Sequence, residues 1–149
     1  MTQKTNIFQK IDAWNTRVFK SGDNNIYEIR FASILSDTDP KSAEYLKNKE
    51  TDELNDSKFV LSRGDYSPIL KILNKYLMEA SKYAQNKNEE KMIEEYIKHF
   101  LTGDINYHKD GSRYWVKDKG PVVENYIGFI ENYRDPAGMR AEFEGMTLF

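Results

Sequence analysis

Three glutamates and a phenol flank a tight turn in one short stretch of the chain, GFIENYRDPAGMRAEFEGM, residues 128–146. Glu131 and Tyr133 precede the turn Asp135-Pro136-Ala137-Gly138, and Glu142 and Glu144 follow it. Read as a β-hairpin, the period of two puts Glu131 and Tyr133 on one strand face with Val123, Asn125, Ile127 and Phe129. Glu142 and Glu144 then share a face of the returning strand. Carboxylates gathered at one end of a small sheet repel one another unless a cation joins them: a metal, an arginine or a ligand ammonium. A tyrosine hydroxyl beside them could donate to an oxyanion that develops in a transition state. The plainer alternative is cross-strand pairing with Arg134, Arg140 or a lysine on a solvated face.

Other familiar chemistries lack their residues. The two histidines, His99 and His108, are nine positions apart and outside any HExxH arrangement, so a packing or surface role is the expectation for each. No glycine-rich phosphate loop occurs, and two histidines without suitably spaced partners do not make a Ser/His/Asp triad. The sequence holds no cysteine, which excludes disulfides and thiolate metal sites. Twenty-two Lys and Arg against 24 Asp and Glu give a net charge of −2, which argues against nucleic acid as a partner. No stretch has the apolar length of a signal peptide or a membrane span, so no membrane partner and a cytoplasmic location are expected.

The elements that must position these groups can be read from hydrophobic period and turn chemistry. Ile7, Phe8, Ile11, Trp14 and Val18 fall at helical spacing and predict a helix over residues 6–19. IYEIRFASIL, residues 26–35, alternates as a strand, and a polar loop with one short helix near residues 43–46 comes after it. KFVLS, residues 58–62, is a second strand. Asp65 or Ser67 can then cap a helix that has Pro68 in its first turn and Ile69, Ile72, Leu73, Tyr76, Leu77, Ala80, Tyr83 and Ala84 on one face. Met92, Ile93, Tyr96, Ile97 and Phe100 mark a second helix closed by Gly103. A third runs from Asp104 to about Lys117 and buries Ile105, Tyr114 and Trp115, despite the helix-weakening Gly111. Residues 122–134 and 139–149 form the hairpin. The class is α+β: antiparallel sheet elements, including the C-terminal hairpin, packed with three to four helices. Residues 1–149 read as a single partial domain: N-terminal helix and linker (1–25), strands with a polar loop (26–62), helices (65–118) and hairpin (122–149).

Several long strings carry a more specific signal. RGDYSPIL (63–70), EEYIKHFLTGDINYHKDGSRYWVKDKGPVVENYIGFIENYRDP (94–136) and GMRAEFEGM (138–146), with YEIRFASIL upstream, resemble consecutive parts of the dipeptidyl peptidase III family. Members are zinc-dependent aminopeptidases that release dipeptides from peptide N-termini. Ala137 and Ala141 depart from the phenylalanine and glycine common at those places. The resemblance implies that this segment belongs to the β-containing lobe of a two-lobed peptidase and lines its substrate cleft. It implies that Tyr133 stabilises the oxyanion, and that Glu131 and Glu144 hold the substrate's terminal ammonium. Zinc is then expected only in the full-length family enzyme, because the family's HExxGH-type motif has no counterpart here; no metal site is expected in this chain. Peptide N-termini are the implied ligand once the cleft is completed, by a protein partner or by the missing lobe in trans. Three readings remain: a cleft segment inactive by itself, a degenerate non-catalytic subunit that binds or scaffolds within a larger assembly, and a free-standing enzyme of another kind.

Overall fold

The computed structural model describes residues 12–22, 25–40, 51–54 and 56–148. It is α+β, as the patterning predicts. Four strands, β1 (Thr16–Lys20), β2 (Ile26–Ala32), β3 (Thr51–Leu54) and β4 (Ser57–Asp65), form one sheet in the order β1-β2-β4-β3. Three helices come next, α1 (Ser67–Ala80), α2 (Lys87–Thr102) and α3 (Ile105–Lys117), and then a hairpin of β5 (Glu124–Phe129) and β6 (Phe143–Leu148).

The first sheet is mixed. β1 and β3 pair antiparallel with their neighbours, while β2 and β4 run parallel with Ile29 opposite Leu61. A parallel pair needs a long crossover, and the polar stretch between β2 and β4 supplies the length. Part of that stretch, with the short helix expected near residues 43–46, lies outside the described residues. So does the first part, residues 6–11, of the expected N-terminal helix. Its other end is a strand: TRVFK pairs with β2, Val18 opposite Ile29, and the Ser21 N–H donates to the Ile26 carbonyl at 2.9 Å. Thr16 and Val18 are β-branched and suit a pleated surface, and pairing with β2 overrides the apparent helical spacing.

The helices close on one core. Leu70 and Leu77 of α1 meet Met92, Ile93, Tyr96 and Phe100 of α2, with Leu73, Ile97, Tyr114, Trp115 and Ile127 around them. Asn86 caps α2 by accepting from the N–H groups of Asn88 and Glu89, and Asp104 caps α3 by accepting from Asn106. α1 starts otherwise than expected. Neither Asp65 nor Ser67 caps it: Asp65 accepts two bonds from Arg17 at 2.6 and 2.7 Å, and the Ser67 hydroxyl donates to the Ile34 carbonyl.

The sheet is tied to the helices at the C-terminal end of α2, where backbone carbonyls have no partner within the helix. The N–H groups of Ile34 and Leu35 donate to the carbonyls of Phe100 and Leu101 at 2.8 and 3.0 Å, and the Asn15 amide donates to Gly103. Gly103 closes the helix at φ +76°, and a Cβ there would lie 3.0 Å from the Ala32 carbonyl oxygen. Glycine is required twice over, by backbone sign and by space.

Gly128 on β5 is tighter still. A Cβ at that position would come within 2.6 Å of both the His108 and the Tyr126 rings. Gly128→Ala is therefore expected to destabilise the fold by about 1–3 kcal/mol, the usual cost of overpacking, measured as a lower urea midpoint with unchanged slope.

Candidate functional site

The hairpin lies on α2 and α3 through a seam of rings. His108 of α3 is only 3% exposed. Its ring stands edge-on to Phe129 at 5.3 Å and to Tyr126 at 6.2 Å, 5.6 Å from His99 and 6.5 Å from Trp14. Phe143 on β6 completes the stack, 5.4 Å from Phe129 and 5.7 Å from Phe100. Polar bonds fix the register along the seam. The Ile127 N–H donates to the Tyr96 hydroxyl at 3.4 Å, Asn125 donates to Glu89 at 2.9 Å, and Gln85 bonds both Val122 and Val123.

Burial governs the charge state of these groups. Desolvation raises the Tyr96 hydroxyl above the ordinary tyrosine range. Desolvation also lowers His99, against a hydrogen bond to the Asp104 carbonyl at 3.0 Å that assigns the proton to Nδ1. His108 falls to about 4, through desolvation first and then the neighbouring His99 and Lys109. Both imidazoles are buried and pack against the surrounding rings.

Beyond Phe129 the hairpin departs from the regular ladder. The sequence suggests one face running through Phe129, Glu131 and Tyr133, but β5 ends at Phe129 and β6 begins at Phe143. Between them the Ile130 N–H donates to the Glu142 carbonyl at 3.1 Å, while the Glu142 N–H donates to Glu131, not to Ile130, at 2.7 Å. Two residues thus face one, the pattern of a β-bulge, and a bulge breaks side-chain alternation and re-aims the residues next to it. Glu131 and Tyr133 therefore sit in an excursion over residues 130–142. Tyr133 is 75% exposed. Glu144 lies on β6, half-buried and opposite Gly128.

The three carboxylates have different environments. Glu142 takes a guanidinium, with Arg134 Nε 2.9 Å from Oε1. Glu131 and Glu144 have no side-chain hydrogen bond or ion pair among the described residues. The turn at 135–138 forms as its residue types predict: the Asp135 N–H donates to Asn132 and the Gly138 N–H to Asp135. At the base of the excursion lies a cavity of about 380 Å³, with apolar walls from Trp14, Ile69, Leu73, Phe129 and Phe143 and with Arg17, Asp65 and Arg140 at its edge. Sequence spacing carries no sign of this cavity, because its walls come from elements distant in the chain.

The described residues include no group of three or more His, Asp or Glu able to hold a metal ion. His99 and His108 pack among rings, and although His99 also lines the cavity, no group of carboxylates converges with it there. This donor set does not fit zinc.

Comparison with known proteins finds that the family model described as Peptidase family M49 matches residues 2–148. The chain is 46% identical over 142 residues to dipeptidyl peptidase 3 of Homo sapiens and 47% identical over 143 residues to that of Mus musculus. It is 43% identical over 146 residues to that of Nematostella vectensis. Each comparison covers 93% of this chain but only 19 or 20% of the relative, so the chain spans about a fifth of the length of the curated relatives it matches.

The histidine seam has a pH consequence whose sign is fixed. An unfolded histidine titrates near 6.5, whereas burial lowers folded His108 to about 4, so that it takes up a proton only as pH falls to that value. Between those values the unfolded chain binds more protons, so this contribution to stability is full above about pH 6.5 and declines as pH falls toward 4. Urea denaturation across pH 7.5 to 4 should show that decline, and His108→Gln should flatten its slope.

Proposed function

Because the chain belongs to peptidase family M49, we propose that it supplies the amine-recognising wall of a dipeptidyl-peptidase cleft. Glu131 and Glu144 hold the terminal ammonium of a peptide, and Tyr133 donates to the oxyanion formed when the scissile carbonyl is attacked. The observation that carries this reading is the sorting of carboxylates. Glu142 has its own arginine, whereas Glu131 and Glu144 are left without a cation among the described residues. A peptide ammonium supplies the missing charge. Charge-assisted hydrogen bonds of this kind are short and strong, and they reject a peptide whose amine is acylated or internal. Anchoring the amine at one point also sets how far along the peptide the phenol reaches, and so restricts cleavage to the N-terminal end.

The phenol acts by electrostatic preorganisation: a donor fixed where negative charge develops lowers the barrier without altering ground-state binding. Attack itself needs an activated nucleophile, and none is assigned to this segment: its part is to bind and orient. A zinc ion held outside this segment would supply that nucleophile as an activated water. The rest of the cleft is contributed by further polypeptide, in the same chain or in trans. Exposed apolar groups support such packing: Ile69, Ile72 and Tyr76 on α1, and Phe143, Met146 and Leu148 on β6. The setting that suits this reading is the cytosol.

Titration with trialanine should perturb the amide resonances of Glu131, Tyr133 and Glu144, while N-acetyl-trialanine should leave them in place. Glu131→Gln should weaken trialanine binding about tenfold, the worth of one hydrogen bond to a charged group. Equal response to the two peptides, or to neither, contradicts amine recognition and leaves a non-catalytic scaffold as the better reading.

A further inference from the structure

Glu131 and Tyr133 are exposed and stand outside the strands, yet a site that recognises an amine at one place requires them to hold still. The segment around them is braced at two points. At the neck, Glu142 uses every polar group it has: its backbone N–H and carbonyl close the bulge, and its carboxylate takes Arg134 through Nε at 2.9 Å and Nη1 at 3.4 Å. At the tip, Asp135 Oδ2 accepts from the N–H groups of Met139 and Arg140 at 2.7 and 2.8 Å, and the Asn132 side chain donates to the Gly138 carbonyl at 2.8 Å. Those backbone bonds, Arg140 first and then Met139, hold the Asp135 carboxyl below the usual carboxylate range. Tyr133 therefore lies between two anchored neighbours, Asn132 and Arg134, with its own side chain left free to meet a ligand.

We propose that the Arg134–Glu142 pair, seated on the bulge, is the positioning element for Glu131 and Tyr133, and that Glu142 takes no part in holding the ammonium. This rests on the roles proposed for Glu131 and Tyr133 in amine and oxyanion recognition. It divides the three glutamates of the hairpin into two that face the ligand, Glu131 and Glu144, and one that is structural, Glu142. It also gives Arg134 a role opposite to the one its charge suggests. A cation beside an ammonium site repels the ligand, so its removal should tighten binding if charge alone mattered. If Arg134 acts by fixing the loop, its removal should weaken binding.

The sign is the test. Trialanine affinity of the full 149-residue chain is measured by NMR for Arg134→Gln and for the charge-swapped double variant Arg134→Glu/Glu142→Arg. Positioning predicts a loss of about two- to fivefold for Arg134→Gln, the worth of a partly exposed ion pair, with recovery in the swapped variant at unchanged net charge. Affinity that is equal or higher in Arg134→Gln overturns the proposal. Amide hydrogen exchange gives a second reading that needs no ligand. Exchange at Ile130 and Glu142 should accelerate in Arg134→Gln and return in the swap; unchanged exchange also overturns positioning. If the wild-type chain ignores trialanine, amine recognition fails, and the exchange measurement alone then decides whether the pair braces the loop.

Discussion

The contact on which the rest of this structure depends is the backbone of Gly128 pressed against the ring of His108. No side chain intervenes, because a Cβ would sit 2.6 Å from two rings. That closeness lets β5 lie flat on α3, brings Phe129 edge-on to the imidazole, and allows the Ile127 N–H to reach the Tyr96 hydroxyl. Such a seam is stiff because it is packed and polar at once. Its rings occupy area with few rotamers, and its few hydrogen bonds specify a register that apolar packing alone would leave free to slide. The hairpin is a two-stranded ribbon, marginal by itself. It becomes a platform through the helices and rings beneath it.

From that platform the chain projects an irregular loop. A bulge ends the ladder at the place where side-chain alternation would otherwise continue, and Glu131 and Tyr133, with their proposed chemical roles, stand at and just after it. Regular strands hold the loop, while the loop itself presents polar groups that a buried strand could not carry without partners. Charge is distributed to match. Asp135 is satisfied by backbone N–H groups and Glu142 by a guanidinium, and Glu131 and Glu144 keep open valence. In the proposed cleft that open valence is the specificity: it is the place left for a ligand ammonium.

Much of this architecture is legible in the sequence, for reasons that can be named. The helices of the middle section are marked by long apolar stripes and by Gly103 and Asp104 where the second ends and the third begins, local signals that tertiary structure has no cause to override, whereas the cap at Asn86 emerges only in the structure. The hairpin is marked by alternation around a proline-glycine turn. Local pattern cannot supply partnership. Trp14 and Val18 fit a helical stripe, yet Thr16–Lys20 pairs as a strand because β2 offers a ladder. Asp65 looks like a helix cap, but Arg17, 48 positions earlier, claims it. The bulge at Ile130–Glu131 is equally invisible, since a slipped hydrogen bond leaves no mark on residue type. The acidic residues and Tyr133 can be named from the sequence; which carboxylate already has a cation cannot.

The central claim is that this hairpin carries half of an active centre, with a phenol placed for charge that develops only during reaction. It is tested most directly by steady-state kinetics of a complete, zinc-loaded M49 enzyme containing this segment, comparing Tyr133 with Tyr133→Phe. The account predicts a fall in kcat of about 10²–10³-fold, the usual cost of one lost oxyanion donor, with KM nearly unchanged. A variant that keeps its kcat, or one that loses binding and leaves turnover intact, would contradict it.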